Sequence, residues 1–253
     1  MNKHFWRSVF LLAGLLSGMH AATRGDVRVL EAADSIRYNA IRMTREYLLY
    51  LIYPKKTALQ GSLQKHFEAL ETDMHNIAVS TKDPKTKGVL KYFAFEKVRI
   101  GEMIKQKPSI ENAGELIDFS ESFVEGASAI ARRHLYVPAP EEKMWITTRS
   151  FDQEVEEVIK YYLAAHLIKD DPELIHKREA ATARIKQMLD VINAYPYTDE
   201  LQPMRARLNH LWETLEYYLG KVDKLPLPIV TTLMGNELES SVDVLGVYHS
   251  KNQ

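Results

Sequence analysis

Proline in the interior of an α-helix removes a backbone hydrogen bond and clashes with the preceding turn, at a cost of about 3 kcal/mol. Its positions therefore mark where helices cannot continue. The prolines of this chain stand at Pro54, Pro84, Pro108, Pro138 with Pro140, Pro172, Pro196 with Pro203, and Pro226 with Pro228. These seven break points divide it into eight pieces. In most pieces apolar residues recur at alternating steps of four and three, the pattern of a helix seam packed in a bundle.

The first piece keeps that rhythm through Val29, Ala33, Ile36, Ala40, Met43, Tyr47 and Tyr50, and the second through Leu63, Phe67, Leu70, Met74 and Ile77. The fourth carries Leu116, Phe119, Phe123, Gly126 and Ile130, and the fifth Phe151, Val155, Val158, Tyr162 and Ala165. The seventh reads Met204, Leu208, Leu211, Leu215, Tyr218, Val222 and Leu225. The third and sixth pieces are helical in composition with a noisier seam. Asp83-Pro84 and Asp171-Pro172 read as N-caps followed by proline at the first helical position, and Thr57 with Gln60 as a capping box. Only Leu225 to Thr232 is locally strand-like, and its two prolines predict a loop.

The predicted fold class is therefore all-α, with four helices on each side of Pro138-Ala139-Pro140. Short connections imply antiparallel neighbours, hence two tandem four-helix-bundle units over 24–137 and 141–250. Internal correspondences suggest duplication: Glu46-Tyr47-Leu48 with Lys160-Tyr161-Tyr162, and the seam at 116, 119, 123, 126 and 130 with that at 235, 238, 242, 245 and 249.

The N-terminus reads as an address. Lys3 and Arg7 precede the apolar run Ser8 to Leu16, which is too short to cross a bilayer, and Ala21 and Ala22 supply small residues for cleavage. The expectation is a signal peptide over 1–21 and a periplasmic location, in preference to an uncleaved anchor. Its removal takes the formal net charge from −1 to −3. That balance gives no footprint for nucleic acid. With no cysteine, the chain relies on its core rather than on disulfides.

Catalytic signals are sparse, so no enzyme is expected. No Gly-x-Ser-x-Gly, HExxH or phosphate-binding glycine loop occurs. Glu173-x-x-His176 is half of a di-iron element without its second copy, and no cofactor is assigned. Seven tyrosines at helix ends or seams (Tyr47, Tyr50, Tyr53, Tyr161, Tyr162, Tyr217, Tyr218) read first as core residues and second as a pocket lining. In the first helix Arg37, Arg42 and Arg45 lie among apolar seam positions. One reading places them on a solvated flank; the other makes them an anion site, since a planar guanidinium holds an oxyanion through paired hydrogen bonds.

The stretch Asp34 to Leu51 resembles the first-helix motif of the PilJ/NarX-like periplasmic sensing domain, a four-helix module of nitrate sensor kinases and type IV pilus chemotaxis transducers. Arg42-Met43 match the motif's central Arg-Met, and Asn39-Ala40 stand near its Ala-Gly pair. Asn236-Glu237-Leu238 followed by Tyr248 resembles the family's fourth-helix ending, and Trp212 fits a third-helix tryptophan. Tyr47 stands where the motif has its second arginine, so Arg42 alone is the motif-matched anion contact. The resemblance implies a non-catalytic ligand-binding module, pairing through helix 1 as a homodimer, and action on an envelope protein or membrane sensor. A metal- or cofactor-bearing electron-transfer bundle is the competing class, and a structural partner in an envelope complex a third.

Overall fold

The computed structural model describes residues 24–134, 138, 140–222, 224 and 226–251. The expected signal peptide, residues 135–137 at the end of the first expected unit, Ala139 and Leu225 lie outside the described residues. Within them the chain is all-helical: α1 (Arg24–Ile52), α2 (Thr57–Ser80), α3 (Pro84–Met103), α4 (Ile110–Ala131), α5 (Pro140–Leu167), α6 (Pro172–Ala194), α7 (Gln202–Leu219) and α8 (Pro228–Lys251). Four of the eight begin on proline, whose missing N–H is one that a first turn leaves unpaired anyway. Proline thus starts helices here as well as stopping them.

That behaviour corrects one local expectation. The segment Leu225 to Thr232 is not a loop throughout, because α8 starts at Pro228 and the Thr231 and Thr232 hydroxyls donate to the Pro228 carbonyl at 3.0 and 2.7 Å. The expected capping box is also absent: Lys56 is the N-cap of α2, without a side-chain bond, and Thr57 is already helical. The aspartate caps do form. Asp83 accepts from the Thr86 N–H at 2.8 Å, and Asp171 from the Glu173 and Leu174 N–H groups at 2.9 and 3.3 Å.

Helix neighbours follow the short connections. α1 packs against α2 and α4, and α3 closes onto both; α5 packs against α6 and α8, and α7 closes onto both. α1 also packs against α5. Pairing is antiparallel for α1 with α4, since Tyr47 meets Ser109 and Asp26 meets His134. α5 and α8 pair the same way, with Tyr162 meeting Leu227 and Thr148 beside Gly246. α1 and α5 run in the same direction, Asp34 meeting Gln153 and Arg45 meeting Glu156.

The seams form the core. Val29, Ala33, Ile36, Ala40, Met43 and Tyr47 are buried along α1, as are Phe151, Val155, Val158 and Tyr162 along α5. Phe93 of α3 stacks on Phe123 of α4 with ring centres 4.3 Å apart. Gly235 permits the close approach of α8 to α5, because a Cβ there would overlap the Ile159 side chain. In α7 the buried line is Leu208, Trp212, Leu215 and Leu219, turned slightly from the expected one, so Leu211 and Tyr218 are only half-buried.

Candidate functional site

Where α1, α5 and α8 meet, the apolar seams give way to a buried polar cluster. Arg45 projects from α1 with a side chain 1% exposed, and its Nη1 donates to Glu156 Oε1 of α5 at 2.5 Å. The same nitrogen reaches Asn236 Oδ1 of α8 at 3.3 Å, and Nη2 donates to Glu46 at 2.9 Å. One helical turn earlier, Arg42 Nη1 lies 3.1 Å from the same Glu156 oxygen and 2.8 Å from Glu239 Oε2, while Nη2 is 3.5 Å from Asn236 Oδ1. Arg42 also donates to the Tyr38 hydroxyl, and its guanidinium lies 5.5 Å from that ring's centre. Glu156 is thus gripped by two guanidiniums, a planar fork suited to a carboxylate.

The carboxyls differ in charge state although they touch. Burial works against ionising Glu156, but Arg45, a hydrogen bond from Glu239 and Arg42 outweigh it and hold the group below the ordinary carboxylate range. Glu239 goes the other way: burial first, then the neighbouring Glu156 charge, keep it protonated well above that range. Two close carboxyls sharing one proton behave so in general. His66, on α2, is pushed down to about 4 by burial and by Arg42, and its Nδ1 lies 2.8 Å from Asn39 Oδ1. The guanidiniums are not saturated: the Nε atoms of Arg42 and Arg45 are buried without a hydrogen-bond partner.

A cavity of about 340 Å³ adjoins this cluster. Tyr38 and Glu239 form its inner wall, with Asp152, Arg149 and Trp145 of α5 and Asp243 of α8 around it. Asp152 is pushed up to about 8 by burial and by Asp243, and its Oδ1 is buried without a partner.

Of the expected site residues, the cluster gathers Arg42, Arg45 and Asn236. It excludes the others. Arg37 pairs with Asp34 and reaches Ser128 of α4 at 3.5 Å; Met43 is core; Glu237 is exposed and binds Arg207 at 2.5 Å. Tyr248 lies at the far end of α8, edge-on to His249. The tyrosines do not converge on one pocket: Tyr217 and Tyr218 contact each other, while Tyr47 and Tyr162 each sit in a core and accept the N–H of Ser109 and Leu227 at 3.1 and 2.8 Å. Glu173 pairs with Lys177 at 2.6 Å, and among the described residues no group of three or more His, Asp or Glu side chains could hold a metal ion. Glu156, Glu239 and Tyr38 are the site residues that reading the sequence missed. Glu156 and Glu157 both lie between the seam residues Val155 and Val158, so sequence position does not separate them.

A second buried cation lies one turn further along the same face of α5. Lys160 is 0% exposed; its Nζ donates to Ser120 Oγ of α4 at 3.0 Å, lies 4.0 Å from Glu157 and sits 4.3 Å from the Tyr161 ring centre. Burial lowers its pKa against the pull of Glu157 and Glu121. Glu121 is taken by Lys177 at 2.8 Å and by the Tyr161 hydroxyl, and Glu157 by Arg184 at 2.8 Å.

Comparison with family models, with curated proteins and with solved structures finds no match to this chain.

Proposed function

We propose that this chain is an exported, non-catalytic, sensor-like helical module that binds a small oxyanion and passes its occupancy to a membrane sensor or other envelope protein. In this reading residues 1–21 are a signal peptide, 24–137 and 141–250 are tandem antiparallel four-helix units of the PilJ/NarX-like kind, and the location is periplasmic. The helix neighbours support the tandem division, since each set of four closes on itself and α1 with α5 joins them. The two tyrosine contacts favour a duplication in which Tyr47 pairs with Tyr162, since they meet the N–H groups ahead of α4 and α8 alike, and in that register Lys160 is the counterpart of Arg45. Pairing through helix 1 is then met inside one chain, by α1 against α5.

The observation that carries the ligand reading is the double guanidinium grip. Arg42 and Arg45 hold a carboxylate, each retaining an unpartnered Nε, and the neighbour competing for Arg42 is the neutral carboxyl of Glu239. A small oxyanion arriving through the adjoining cavity would replace Glu239 against Arg42, exchanging a neutral acceptor for a charged one.

Thermal-shift titration of the purified chain with nitrate, nitrite and acetate tests this. A ligand that binds only the folded chain stabilises it by about 2.7 kcal/mol at a hundredfold excess over Kd. The expected result is a rise in Tm that Arg42→Ala, measured against its own ligand-free Tm, does not show. No rise in the wild-type chain, or an equal rise in Arg42→Ala, overturns the reading.

A further inference from the structure

The outer face of α3 is both apolar and basic. Phe95 and Val98 are 64% and 63% exposed and Tyr92 is 44% exposed. At about 100° per residue, Tyr92 and Val98 flank Phe95 on one face of the helix. Lys85 falls at one edge of that face and Lys91 within it, Lys105 follows in the turn just past the helix end, and all three are exposed. Residues 82–107 carry eight Lys and Arg against three Asp and Glu, in a chain whose formal net charge is −1. The third helix of the other set, α7, has no such excess: Arg205 and Arg207 are balanced by Glu213 and Glu216.

We infer that this face of α3 docks flat on an anionic lipid surface. Exposed aromatic and aliphatic side chains flanked by cations are what an interfacial helix presents to headgroups and the upper acyl region. The cations available favour lipid over an acidic protein. Lysine is a mobile point charge suited to diffuse headgroup charge, whereas the arginine on this face, Arg99, is already bound to Glu96 and Glu115 at 3.2 and 3.5 Å and stacked on Phe119. Contact is peripheral, because among the described residues no helix is long and apolar enough to cross a membrane. Glu102 is an acid on the same face and weakens the attraction.

Co-sedimentation of the purified chain with vesicles tests the inference. The chain should sediment with vesicles of phosphatidylglycerol and phosphatidylcholine in equal amounts at low salt, be released as salt rises, and ignore pure phosphatidylcholine. Each of Lys85→Gln, Lys91→Gln and Lys105→Gln should lower partition about fivefold, and Phe95→Ser about tenfold. Glu102→Lys should raise it, while Tyr217→Ser on α7 should leave it unchanged. All these positions are solvent-facing, and an unchanged circular-dichroism melt verifies that each variant is folded. Equal binding to neutral vesicles, or full binding by the Phe95 and lysine variants, overturns the inference. So does failure to sediment with either vesicle, which would leave an acidic protein as the occupant of this face.

Discussion

Two buried cations in one molecule are treated differently. Arg45 and Lys160 each stand two residues before a buried tyrosine, Tyr47 on α1 and Tyr162 on α5, and both are fully enclosed, yet Arg45 meets Glu156, Glu46 and Asn236 while Lys160 has a hydroxyl, an aromatic face and a carboxylate 4.0 Å away. The first site compensates its charge in full. The second does not, and the pKa of Lys160 falls as a result. Desolvating an ion costs several kcal/mol unless close partners return it, so only the first arrangement can retain a fixed charge suited to a ligand. The fork geometry of guanidinium is part of the reason. Its five donors in a rigid plane reach partners on three helices, whereas the Lys160 ammonium makes one hydrogen bond, to Ser120.

The largest expected effect comes from removing the shared anion of the first site. Glu156→Ala leaves Arg42 and Arg45 facing each other in a desolvated junction, and should cost about 3–5 kcal/mol in urea or guanidinium unfolding. A loss under about 1 kcal/mol would mean that the junction is wetter and looser than its geometry, and would remove the contrast with Lys160. At the second site the sign reverses. Lys160→Met fills the same apolar channel without a charge, and should be neutral or stabilising by about 1 kcal/mol. A cost above about 2 kcal/mol would show that the Ser120 and Tyr161 contacts compensate the ammonium after all.

The sequence carried the helices well because two independent signals agreed, proline spacing and the four-three seam. Where one signal stood alone it misled: Pro226 and Pro228 suggested a loop where Pro228 in fact opens α8. Half of the site was also legible. Arg42 and Arg45 stood out because basic side chains beside an apolar seam conflict with helix amphipathicity, and Asn236 only through its place in the motif resemblance. Their partners did not, since nothing local distinguishes Glu156, which is enclosed, from Glu157 beside it, which faces Arg184. That difference arises only when α1 and α8 close over α5. The motif positions Glu237 and Tyr248 lie outside this cluster, because on α8 they point away from the line of Asn236 and Glu239.

A pH series separates the two regions. Asp152, at the cavity beside the first cluster, is pushed up from its ordinary 3.8 to about 8 by burial and by Asp243. In the unfolded chain it ionises first, so its stabilising contribution is complete below about pH 4 and is lost as pH rises through about 8. Lys160 has a lowered folded pKa, so the unfolded chain holds the extra proton and stability rises with pH until the unfolded lysine also loses it. The two slopes oppose each other, each limited to about 1.4 kcal/mol per pH unit for a single group. Asp152→Asn should therefore gain stability relative to wild type from pH 5 to pH 8, while Lys160→Met should lose relative stability toward alkaline pH. Tm measured from pH 5 to about pH 10 for the wild type and both variants reads the two slopes separately. Parallel curves for all three proteins would place both groups in water-like surroundings, and the distinction between a compensated and an uncompensated junction would then rest on geometry alone.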